Sequence, residues 1–374
     1  MKITFIYDAL YPEIKGGVEK RIYELGRRLS KKHEVHWYTF NWWGDKKIIE
    51  RDGIIIHGIG HPKSLYIGDK RSIREAVYFS FRLILKRLEK SDIIDCQEFP
   101  YISCYPTKFH SMLNKSGLIV TWHEYWGEYW KEYLGHLSPF GSFFENNLLK
   151  LTDNHIVVSK LTLANLLKLG SKNFSLIPNG IDSKRIQKVK SRPVRYDAIF
   201  AGRLVKHKNL EFLLRSVKFI HSEYPDFTLG IIGDGPERKK LERLVKEIGI
   251  HNNVEFLGFL NSHEDVIEHI KSSKVFTFPS IREGFGMVVL EANASGVPVV
   301  TVNAPMNASK ELIIQGKNGY ISEPNEESFA EKILLAHENS RKMRKTCINM
   351  ARKYDWDSIV KNLEKYYEGV LSGH

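Results

Sequence analysis

The stretch AIFAGRLVKHKNLEFLLRSVKFIH, residues 198–221, contains the repeating unit from which the fold is built. Its first four residues, Ala198–Ala201, form a short apolar run typical of a buried strand. From Leu210 to His221 the apolar residues recur at helical spacing. Strands that alternate with helices in this way are typical of a parallel sheet whose faces are covered by helices.

The same alternation extends from this stretch to both ends of the chain. Toward the N-terminus the patterns predict strands at Lys2–Tyr7, Val35–Phe40, Ile54–Ile59, Ile93–Cys96, Leu118–Trp122 and His155–Val158, and helices at Val18–Ser30, Ile73–Leu88 and Lys160–Leu169. In the second half they predict strands near Ala198–Ala201, Thr228–Ile232, Val254–Leu257, Val275–Phe278 and Val297–Val300, and helices at Leu210–His221, Glu237–Ile248, Asp265–Lys271, Phe285–Ser295, Phe329–His337, Arg341–Lys353 and Asp357–Leu371. We therefore predict an α/β protein with two doubly wound sheets in series.

A break in this pattern marks the junction between the two predicted domains. Pro and Asn-Gly interrupt regular structure in Ile177–Asp182, and a polar, basic stretch follows. We assign residues 1–176 to the first domain, 177–353 to the second and 354–374 to a closing helical segment. Ligands of doubly wound sheets bind at the carboxyl ends of the strands, so we expect a ligand cleft where the two domains face each other.

Composition narrows the class of protein. The 374 residues are 42% hydrophobic and 27% charged, which excludes a disordered or fibrous chain. Three cysteines without metal-ligand spacing argue against a disulfide framework or a zinc site, and no apolar run is long enough for a signal peptide or a spanning helix. We expect a soluble cytoplasmic protein. The net charge of +12 is spread over both halves and predicts an anionic partner without distinguishing nucleic acid, phosphorylated small molecules and an acidic membrane.

Glycines after the first strand suggest a contact with a bound anion. Gly16 and Gly17 precede a predicted helix, whose N-terminal N–H groups attract anions, although a tight turn would use the same residues. The dinucleotide fingerprint G-x-G-x-x-G is absent, because Arg238 stands where the Gly233-Asp234-Gly235 stretch would need its third glycine. A nicotinamide-dependent dehydrogenase is therefore disfavoured.

Two loops of the second half carry residues suited to a phosphorylated sugar. Gly202, Arg203 and Lys208 lie between a strand and a helix, where the cations would grip a diphosphate; an exposed basic loop is the alternative. Glu283 and Glu291 bracket a strand-to-helix loop, and carboxylates accept hydrogen bonds from pairs of sugar hydroxyls. The loop between the two glutamates offers backbone N–H groups to phosphate or sugar oxygens at Gly284, Phe285, Gly286, Met287 and Val288.

Taken in order, these motifs resemble those of the retaining nucleotide-sugar glycosyltransferases of the GT-B fold, glycosyl transferases group 1 (family 4). The resemblance covers nearly the whole chain. It rests on Gly16-Gly17, Val158-Ser159, Pro178–Asp182, Gly202-Arg203-Leu204 with Lys208, Gly233–Pro236, Leu257-Gly258, Glu283–Gly286 with Glu291, Asn318-Gly319 and Trp356. It implies two Rossmann-like domains that face each other across a cleft, and a C-terminal helix that crosses back to the first domain.

The resemblance also assigns roles to individual residues. It implies that Arg203 and Lys208 bind the donor diphosphate, that Glu283 contacts the transferred sugar and that Glu291 binds the ribose. The backbone at Leu257 and Gly258 would flank the base, and Gly16 and Gly17 would close on the phosphates. His123 follows a strand, as the sugar-contacting histidine of the family does, although a lone histidine is often structural. Glu124 stands where the family commonly has aspartate, and Asn307-Ala308-Ser309 departs from the usual glycine-rich segment before Glu311.

Three further patterns have competing interpretations. Asp355-Trp356-Asp357 spells the D-x-D metal motif of another glycosyltransferase architecture, but it opens the last helix, where Asp is a common cap; we predict no metal site. The aromatic segment Tyr125–Trp130 suits an acceptor surface, core packing or membrane contact. Val77–Arg87 is both apolar and basic, which fits either a core-facing helix or a helix lying on the inner face of an acidic membrane.

The predicted activity is transfer of a hexose from a UDP- or GDP-linked donor to a hydroxyl of a lipid, a glycan or a small molecule, with retention and without a metal or other cofactor. The nucleotide sugar is then a co-substrate, and no nucleic-acid partner is expected. Arg203 and Lys208 would neutralise the departing diphosphate while Glu283 and the amide-rich loop position the sugar. Two alternatives stay open: a non-catalytic module that binds polyanions, and a nucleotide-sugar epimerase on the same fold.

Overall fold

The computed structural model describes residues 1–68, 70–170 and 173–373. The chain folds into two compact units. The first consists of residues 1–179 together with 356–374, and the second consists of residues 180–355. The division lies within the Ile177–Asp182 stretch, where proline and Asn-Gly interrupt regular structure.

The first unit is built on a sheet of eight strands within the described residues. In chain order the strands of this sheet are β1 (Lys2–Ile6), β2 (Glu34–Thr39), β3 (Ile48–Arg51), β4 (Ile54–Gly58), β7 (Ile93–Gln97), β8 (Gly117–Trp122), β9 (His155–Val157) and β10 (Phe174–Leu176). Two short strands outside it, β5 (Tyr66–Ile67) and β6 (Lys70–Arg71), pair with each other. The sheet order is β10-β9-β8-β7-β1-β2-β4-β3, parallel except for β3 against β4. The chain reverses its direction of travel between β1 and β7, so their carboxyl ends form a topological switch point.

Helices cover both faces of this sheet. They are α1 (Gly17–Leu29), α2 (Ile73–Leu85), α3 (Cys104–Asn114), α4 (Tyr129–Leu134), α5 (Ser138–Leu148), α6 (Lys160–Leu167) and, from the C-terminus, α13 (Trp356–Ser372). Right-handed crossovers place α1 on one face and α2, α3 and α5 on the other, because β1 to β2 and β7 to β8 run in opposite directions across the sheet. The last helix packs beside α1, where Arg28 Nε donates to Asp357 Oδ1 at 2.9 Å.

The second unit contains a six-stranded parallel sheet in the order β13-β12-β11-β14-β16-β18. Its strands are β11 (Tyr196–Ala201), β12 (Leu229–Ile232), β13 (Val254–Gly258), β14 (Ser273–Phe278), β15 (Arg282–Glu283), β16 (Val299–Val302), β17 (Met306–Asn307) and β18 (Gly319–Ser322); β15 and β17 pair with each other. Its helices are α7 (Ser183–Lys188), α8 (Leu210–Glu223), α9 (Arg238–Glu247), α10 (His263–Lys271), α11 (Met287–Ala294) and α12 (Glu326–Ala351). This strand order is that of a Rossmann sheet, and its switch point lies between β11 and β14.

One predicted pair of elements is wrong. The two helices expected at Phe329–His337 and Arg341–Lys353 are one helix, α12. The residues between them are polar but include neither glycine nor proline, so nothing in the backbone ends the helix there. Residues 338–340, where the prediction ended one helix and began the next, are helical.

Candidate functional site

The second unit brings one predicted cation, Lys208, and one predicted glutamate, Glu283, together at its switch point. The loop after β11 carries Arg203 and Lys208, and the loop after β14 carries Glu283. The Lys208 ammonium forms an ion pair with the Glu283 carboxylate, and both side chains are mostly buried. Lys208 Nζ also lies 4.8 Å from the centre of the Phe278 ring, a cation–π distance that fixes the stem of the lysine. Lys208 and Glu283 lie on separate loops of the sequence. They meet because β11 and β14 are adjacent parallel strands, whose carboxyl ends lie at the same edge of the sheet.

His207 lies in the same loop as Arg203 and Lys208, and its pKa reflects the charges around it. The sequence patterns did not identify this residue. Burial, together with the positive charges of Lys208, Arg282 and Arg203, lowers the pKa of His207 to about 3. The imidazole is therefore neutral at physiological pH. Because three cations act on one ring, the loops after β11 and β14 gather positive charge, which suits a polyanion. Arg282 was also missed; its position directly before Glu283 was the available signal.

The loop that leads into α11 presents helix N–H groups to a ligand. Gly286 is the N-cap residue with φ of +93°, a conformation that favours glycine, and it provides no capping side chain. A Cβ at Gly286 would meet the Cβ of Ser309 at 2.7 Å. Gly284, Met287 and Val288 are half-buried beside it, whereas Phe285 is buried and packs near Tyr354 with ring centres 6.1 Å apart.

The Asn307–Ser309 segment, which departs from the usual glycine-rich pattern, supports the glutamate loop. Asn307 pairs with Glu283 across the short β15–β17 ladder. Its amide nitrogen donates to Thr301 Oγ1 at 3.0 Å, and its amide oxygen accepts from the Ser309 N–H at 3.1 Å. Buried side-chain hydrogen bonds therefore hold the backbone here in the place of glycine flexibility.

Glu291 lies on α11 and is almost fully buried. Its Oε1 is 2.9 Å from Nε2 of His263, the first residue of α10. Sequence reasoning did not identify this partner, because the two residues lie on separate helices. Leu257 and Gly258 end β13, and Gly258 adopts a φ of +69°. Its carbonyl accepts from the Gly233 N–H at 2.8 Å, which ties the predicted base-flanking segment to the loop after β12.

The glycines at 233 and 235 allow two loops to pack backbone to backbone. A Cβ at Gly233 would lie 1.9 Å from the Gly202 carbonyl oxygen, and one at Gly235 would lie 2.3 Å from that of Leu204. The Leu204 N–H donates to the Asp234 carbonyl at 2.9 Å. The loop after β12 thus fixes Gly202 and the start of the cationic loop.

In the first unit, the helix N-terminus at Gly16 and Gly17 is occupied by a side chain of the protein. Both glycines are exposed, but a Cβ at Gly16 would meet the Glu19 carboxylate at 2.6 Å. This carboxylate accepts hydrogen bonds from the backbone of Gly16 and of Glu19 itself. Burial raises the pKa of Glu19 to about 7. The anion-binding position predicted at this loop therefore holds a titrating carboxyl group.

His123 lies at the carboxyl end of β8 and is buried in a chain of hydrogen bonds. Its Nε2 donates to Gln97 Oε1 at 2.8 Å, and Gln97 Nε2 donates in turn to Asp95 Oδ1 at 3.0 Å. Asp95 also accepts from the hydroxyl of Tyr367 on α13, at 2.6 Å. Burial, with the charge of Arg21, lowers the pKa of His123 well below its usual value, so the imidazole is neutral. This chain fixes its orientation and tautomer.

The aromatic segment Tyr125–Trp130 is anchored in the protein core. Trp126 and Trp130 are buried, and the buried Glu145 carboxylate accepts from the Trp126 N–H at 2.7 Å and from Trp130 Nε1 at 2.9 Å. Core packing is therefore the better account of both tryptophans, although one edge of Trp130 lines a cavity.

The D-x-D aspartates have structural partners. Asp355 Oδ2 accepts from the Ser183 N–H at 3.3 Å, and Asp357 pairs with Arg28. In the part of the chain that the structure describes, no three His, Cys, Asp or Glu side chains gather as metal ligands would. Over the same residues, every helix is too short or too polar to cross a membrane.

Comparison with known proteins gives a consistent result over both units. The family model described as Glycosyltransferase Family 4 matches residues 15–185, and the model described as Glycosyl transferases group 1 matches residues 182–354. Among curated relatives, one component of the phosphatidylinositol N-acetylglucosaminyltransferase of Homo sapiens is 27% identical over 398 residues, which cover 98% of this chain and 76% of the human protein.

Solved structures show the fold. Sucrose-phosphate synthase from Thermosynechococcus elongatus superposes with a TM-score of 0.82 at 19% identity over 100% of both chains. HepE of Anabaena, solved in complex with UDP and glucose, superposes with a TM-score of 0.76 at 19% identity over 98% of both chains. These likenesses confirm the predicted GT-B fold class.

Proposed function

The chain belongs to the group 1 glycosyl transferases, and we propose that it moves a hexose from a nucleoside-diphosphate sugar to an acceptor hydroxyl with retention of the anomeric configuration. The observation that carries this proposal is the Lys208–Glu283 ion pair at the switch point of the second unit, beside Arg203. A cation for a diphosphate and a carboxylate for a sugar stand together where this class of sheet binds its ligand.

The ion pair indicates how the donor is held. Lys208 and Glu283 neutralise each other across their contact. A diphosphate carries more charge than one carboxylate and would draw Lys208 to itself, with Arg203 as the second cation. Glu283 is then released to accept hydrogen bonds from sugar hydroxyls. The N–H groups at the start of α11 add further donors for phosphate oxygens.

Departure of the diphosphate is the step that this arrangement favours. Negative charge develops on the leaving oxygen, and Lys208 and Arg203, once drawn to the bound diphosphate, neutralise it. These cations supply the charge that a divalent ion supplies elsewhere, and we propose a metal-independent reaction on that ground. We assign the ribose hydroxyls to Glu291, and the contact of its Oε1 with His263 Nε2 at 2.9 Å holds this carboxylate in position.

For the donor we favour a UDP-hexose. The support is that HepE, which shares this fold, was solved with UDP and glucose. For the acceptor we favour a lipid over a free glycan or small molecule, because the human relative is named for transfer to phosphatidylinositol. A lipid acceptor implies peripheral contact with a membrane.

The proposal is tested by measuring nucleotide release from UDP- and GDP-sugars, with the anomeric configuration of the product read by NMR. Arg203→Ala should lose at least about a hundredfold in turnover, because it removes charge stabilisation of the leaving group. Lys206→Ala is the matched control, since Lys206 is an exposed cation of the same loop. Full turnover by Arg203→Ala, or an inverted product, would refute the mechanism. Polyanion binding without any turnover would favour a binding module instead.

A further inference from the structure

The outward surface of α2, α3 and α5 is unusually apolar. Among the described residues of the first unit, seventeen large apolar side chains are more than a third exposed, and eleven of them lie on these helices or directly before α5. We call this surface the α2–α3–α5 face. Exposed apolar residues scattered singly are normal in a folded protein, but a concentration of them on one face marks an interaction site.

Helix α2 shows the pattern most clearly. Ile73, Val77, Phe81, Ile84 and Leu85 are between 49% and 67% exposed. Their spacing of three, four and eight residues places them on one side of the helix, while Phe79 and Leu83 face the core and are fully buried. The helix therefore has two apolar sides. One packs against the core of the first unit, and the other is exposed.

Helices α3 and α5 extend the same surface. Phe109, Met112 and Leu113 on α3 are 52% to 65% exposed, and Phe140 and Phe143 on α5 are 61% to 64% exposed. The three helices are fixed side by side. His110 Nε2 on α3 donates to the Leu83 carbonyl of α2 at 2.8 Å, and the Tyr105 hydroxyl of α3 donates to the Phe144 carbonyl of α5 at 3.1 Å.

The charges of the three helices have one sign at the surface. Arg74 and Arg82 on α2 are exposed, and Lys108 on α3 is half-buried. The acidic residues of these helices, Glu75 and Glu145, are both buried. An apolar surface edged by cations is complementary to the interface of an anionic bilayer, where apolar side chains enter the acyl region and cations contact phosphate groups.

A cavity opens on this face. It has a volume of about 340 Å³, and apolar side chains dominate its lining, among them Ile73, Ala76, Phe99, Trp130, Phe140 and Phe144. Ile73 and Phe140 are also exposed on the α2–α3–α5 face, so the cavity is continuous with that surface. Phe99, also in the lining, follows the carboxyl end of β7 by two residues, and β7 ends at Gln97, the hydrogen-bond partner of His123.

We propose that this cavity holds the hydrocarbon chain of a lipid acceptor, drawn from an anionic membrane onto which the α2–α3–α5 face docks. The inference rests on the proposed function, because it names the acceptor class of that transferase. The cavity volume lies at the low end of the range for ligand pockets, and its lining offers little that would bind a polar sugar. A chain seated there has its head group directed toward the carboxyl end of β7, where Gln97 and His123 lie.

Docking is tested by co-sedimentation of the full chain with vesicles, in the absence of any donor. We expect binding to vesicles of phosphatidylcholine mixed with phosphatidylglycerol, and weaker binding to phosphatidylcholine alone. Phe81→Glu and Arg82→Glu should each reduce the partition coefficient about tenfold. Ile48→Glu is the matched control, because Ile48 is similarly exposed (54%) but lies on edge strand β3. Equal losses for Ile48→Glu and Phe81→Glu would overturn the docking surface.

Occupancy of the cavity is tested by fluorescence quenching with vesicles whose acyl chains are brominated. All seven tryptophans belong to the first unit, and Trp130 lines the cavity. We expect brominated chains to quench the tryptophan fluorescence of the parent protein. This quenching should fall at least about threefold in Trp130→Phe, which removes the fluorophore at the cavity, and in Ala76→Phe, which fills the cavity. Ala76→Phe should still sediment with vesicles. Quenching unchanged by both variants would overturn the chain-binding cavity.

The two arms separate this inference from the proposed function. Vesicle binding and quenching need no donor, whereas hydrolysis of a UDP-sugar, in which water takes the sugar in place of the lipid and the nucleotide is released, needs no membrane. A protein that turns over the donor but neither sediments with vesicles nor is quenched overturns only the inference. A further outcome is a parent protein that binds no vesicles and has twice the mass of one chain in solution. If Phe81→Glu then reduces that mass to one chain, the α2–α3–α5 face binds a second copy of the chain, and the inference is likewise overturned.

Discussion

The two units arrange their central strands in the same order but carry opposite chemistry at the switch point. In each, the first strand, β1 or β11, ends in a loop that carries candidate site residues. In the second unit the loops carry Arg203, Lys208 and Arg282, and the N-cap residue of α11 is a glycine, Gly286. In the first unit the helix N-terminus is covered by the Glu19 carboxylate.

This difference shows that the strand order fixes where a ligand binds, while the loop residues decide which ligand. An anion gains from the cations and helix N–H groups of the second unit. At the first unit an anion would meet a carboxyl group of pKa about 7, together with a neutral buried histidine. We therefore expect the second unit to bind the diphosphate, and a sugar contact at His123 stays a prediction.

The strongest test of this contrast is Lys208→Ala. It should lower turnover about a hundredfold to a thousandfold, because Lys208 neutralises the leaving diphosphate and its loss also leaves Glu283 without its cation. UDP-sugar turnover measures the effect. Lys208→Ala combined with Glu283→Ala should lose little beyond the single variant, because the two residues act as a pair. Fully additive losses would mean that they act separately.

The second test removes the carboxylate from the first unit. The pKa of Glu19 is about 7 when folded, above its ordinary 4.5, so Glu19 favours the folded state below pH 4.5 and this contribution is lost as the pH rises to 7. Above pH 7 the buried charge costs about 3 kcal/mol. Glu19→Gln should therefore raise the free energy of unfolding at pH 8 and leave it nearly unchanged at pH 4. Urea denaturation followed by tryptophan fluorescence reports the first unit alone, since all seven tryptophans lie in it.

Glu24→Gln is the matched control on the same helix. Glu24 pairs with Arg27 and Arg28, so its loss should lower stability at pH 8 rather than raise it. A Glu19→Gln protein that gains nothing at pH 8 would show that the helix N-terminus stabilises the carboxylate fully, and the two units would then differ less than the structure indicates.

Sequence patterns predicted the local part of this architecture well. The βα loops, the cations at 203 and 208 and the glutamates at 283 and 291 follow from strand-to-helix boundaries that apolar periodicity defines. What periodicity cannot show is contact between elements distant in the chain. The Glu291–His263 contact, the Asp95–Tyr367 hydrogen bond and the Asn307 support of Glu283 all join different elements. The Glu19 side chain at Gly16 could have been predicted from the sequence. Glu19 lies three residues after Gly16, which is the position from which an acidic side chain caps a helix N-terminus.

A third test transfers the chemistry of the first unit to the second. Val288 is the second residue of α11 and is half-buried. Val288→Glu adds a carboxylate at the N-terminus where we place the donor phosphates, so it should weaken UDP binding about tenfold by competing for the same N–H groups. Isothermal titration measures the affinity. Val288→Gln has the same shape without charge and should bind UDP within about threefold of the parent protein. Equal weakening by both variants would point to packing rather than charge.

The smallest expected effect belongs to the last helix. Tyr367 on α13 is fully buried and donates to Asp95 Oδ2 at 2.6 Å. Tyr367→Phe removes that bond while it keeps the ring, so the first unit should lose about 1 to 2 kcal/mol, the cost of a broken bond to a buried carboxyl group. Because Asp95 also accepts from Gln97, which orients His123, turnover should fall severalfold with an unchanged affinity for UDP. Tyr366→Phe is the control at the neighbouring residue. The Tyr366 hydroxyl donates to the His155 carbonyl at 3.4 Å and also contacts Ser175, but it has no bond to Asp95, so turnover should stay unchanged. If Tyr367→Phe weakens UDP binding as much as Val288→Glu does, the assignment of diphosphate binding to the second unit is wrong.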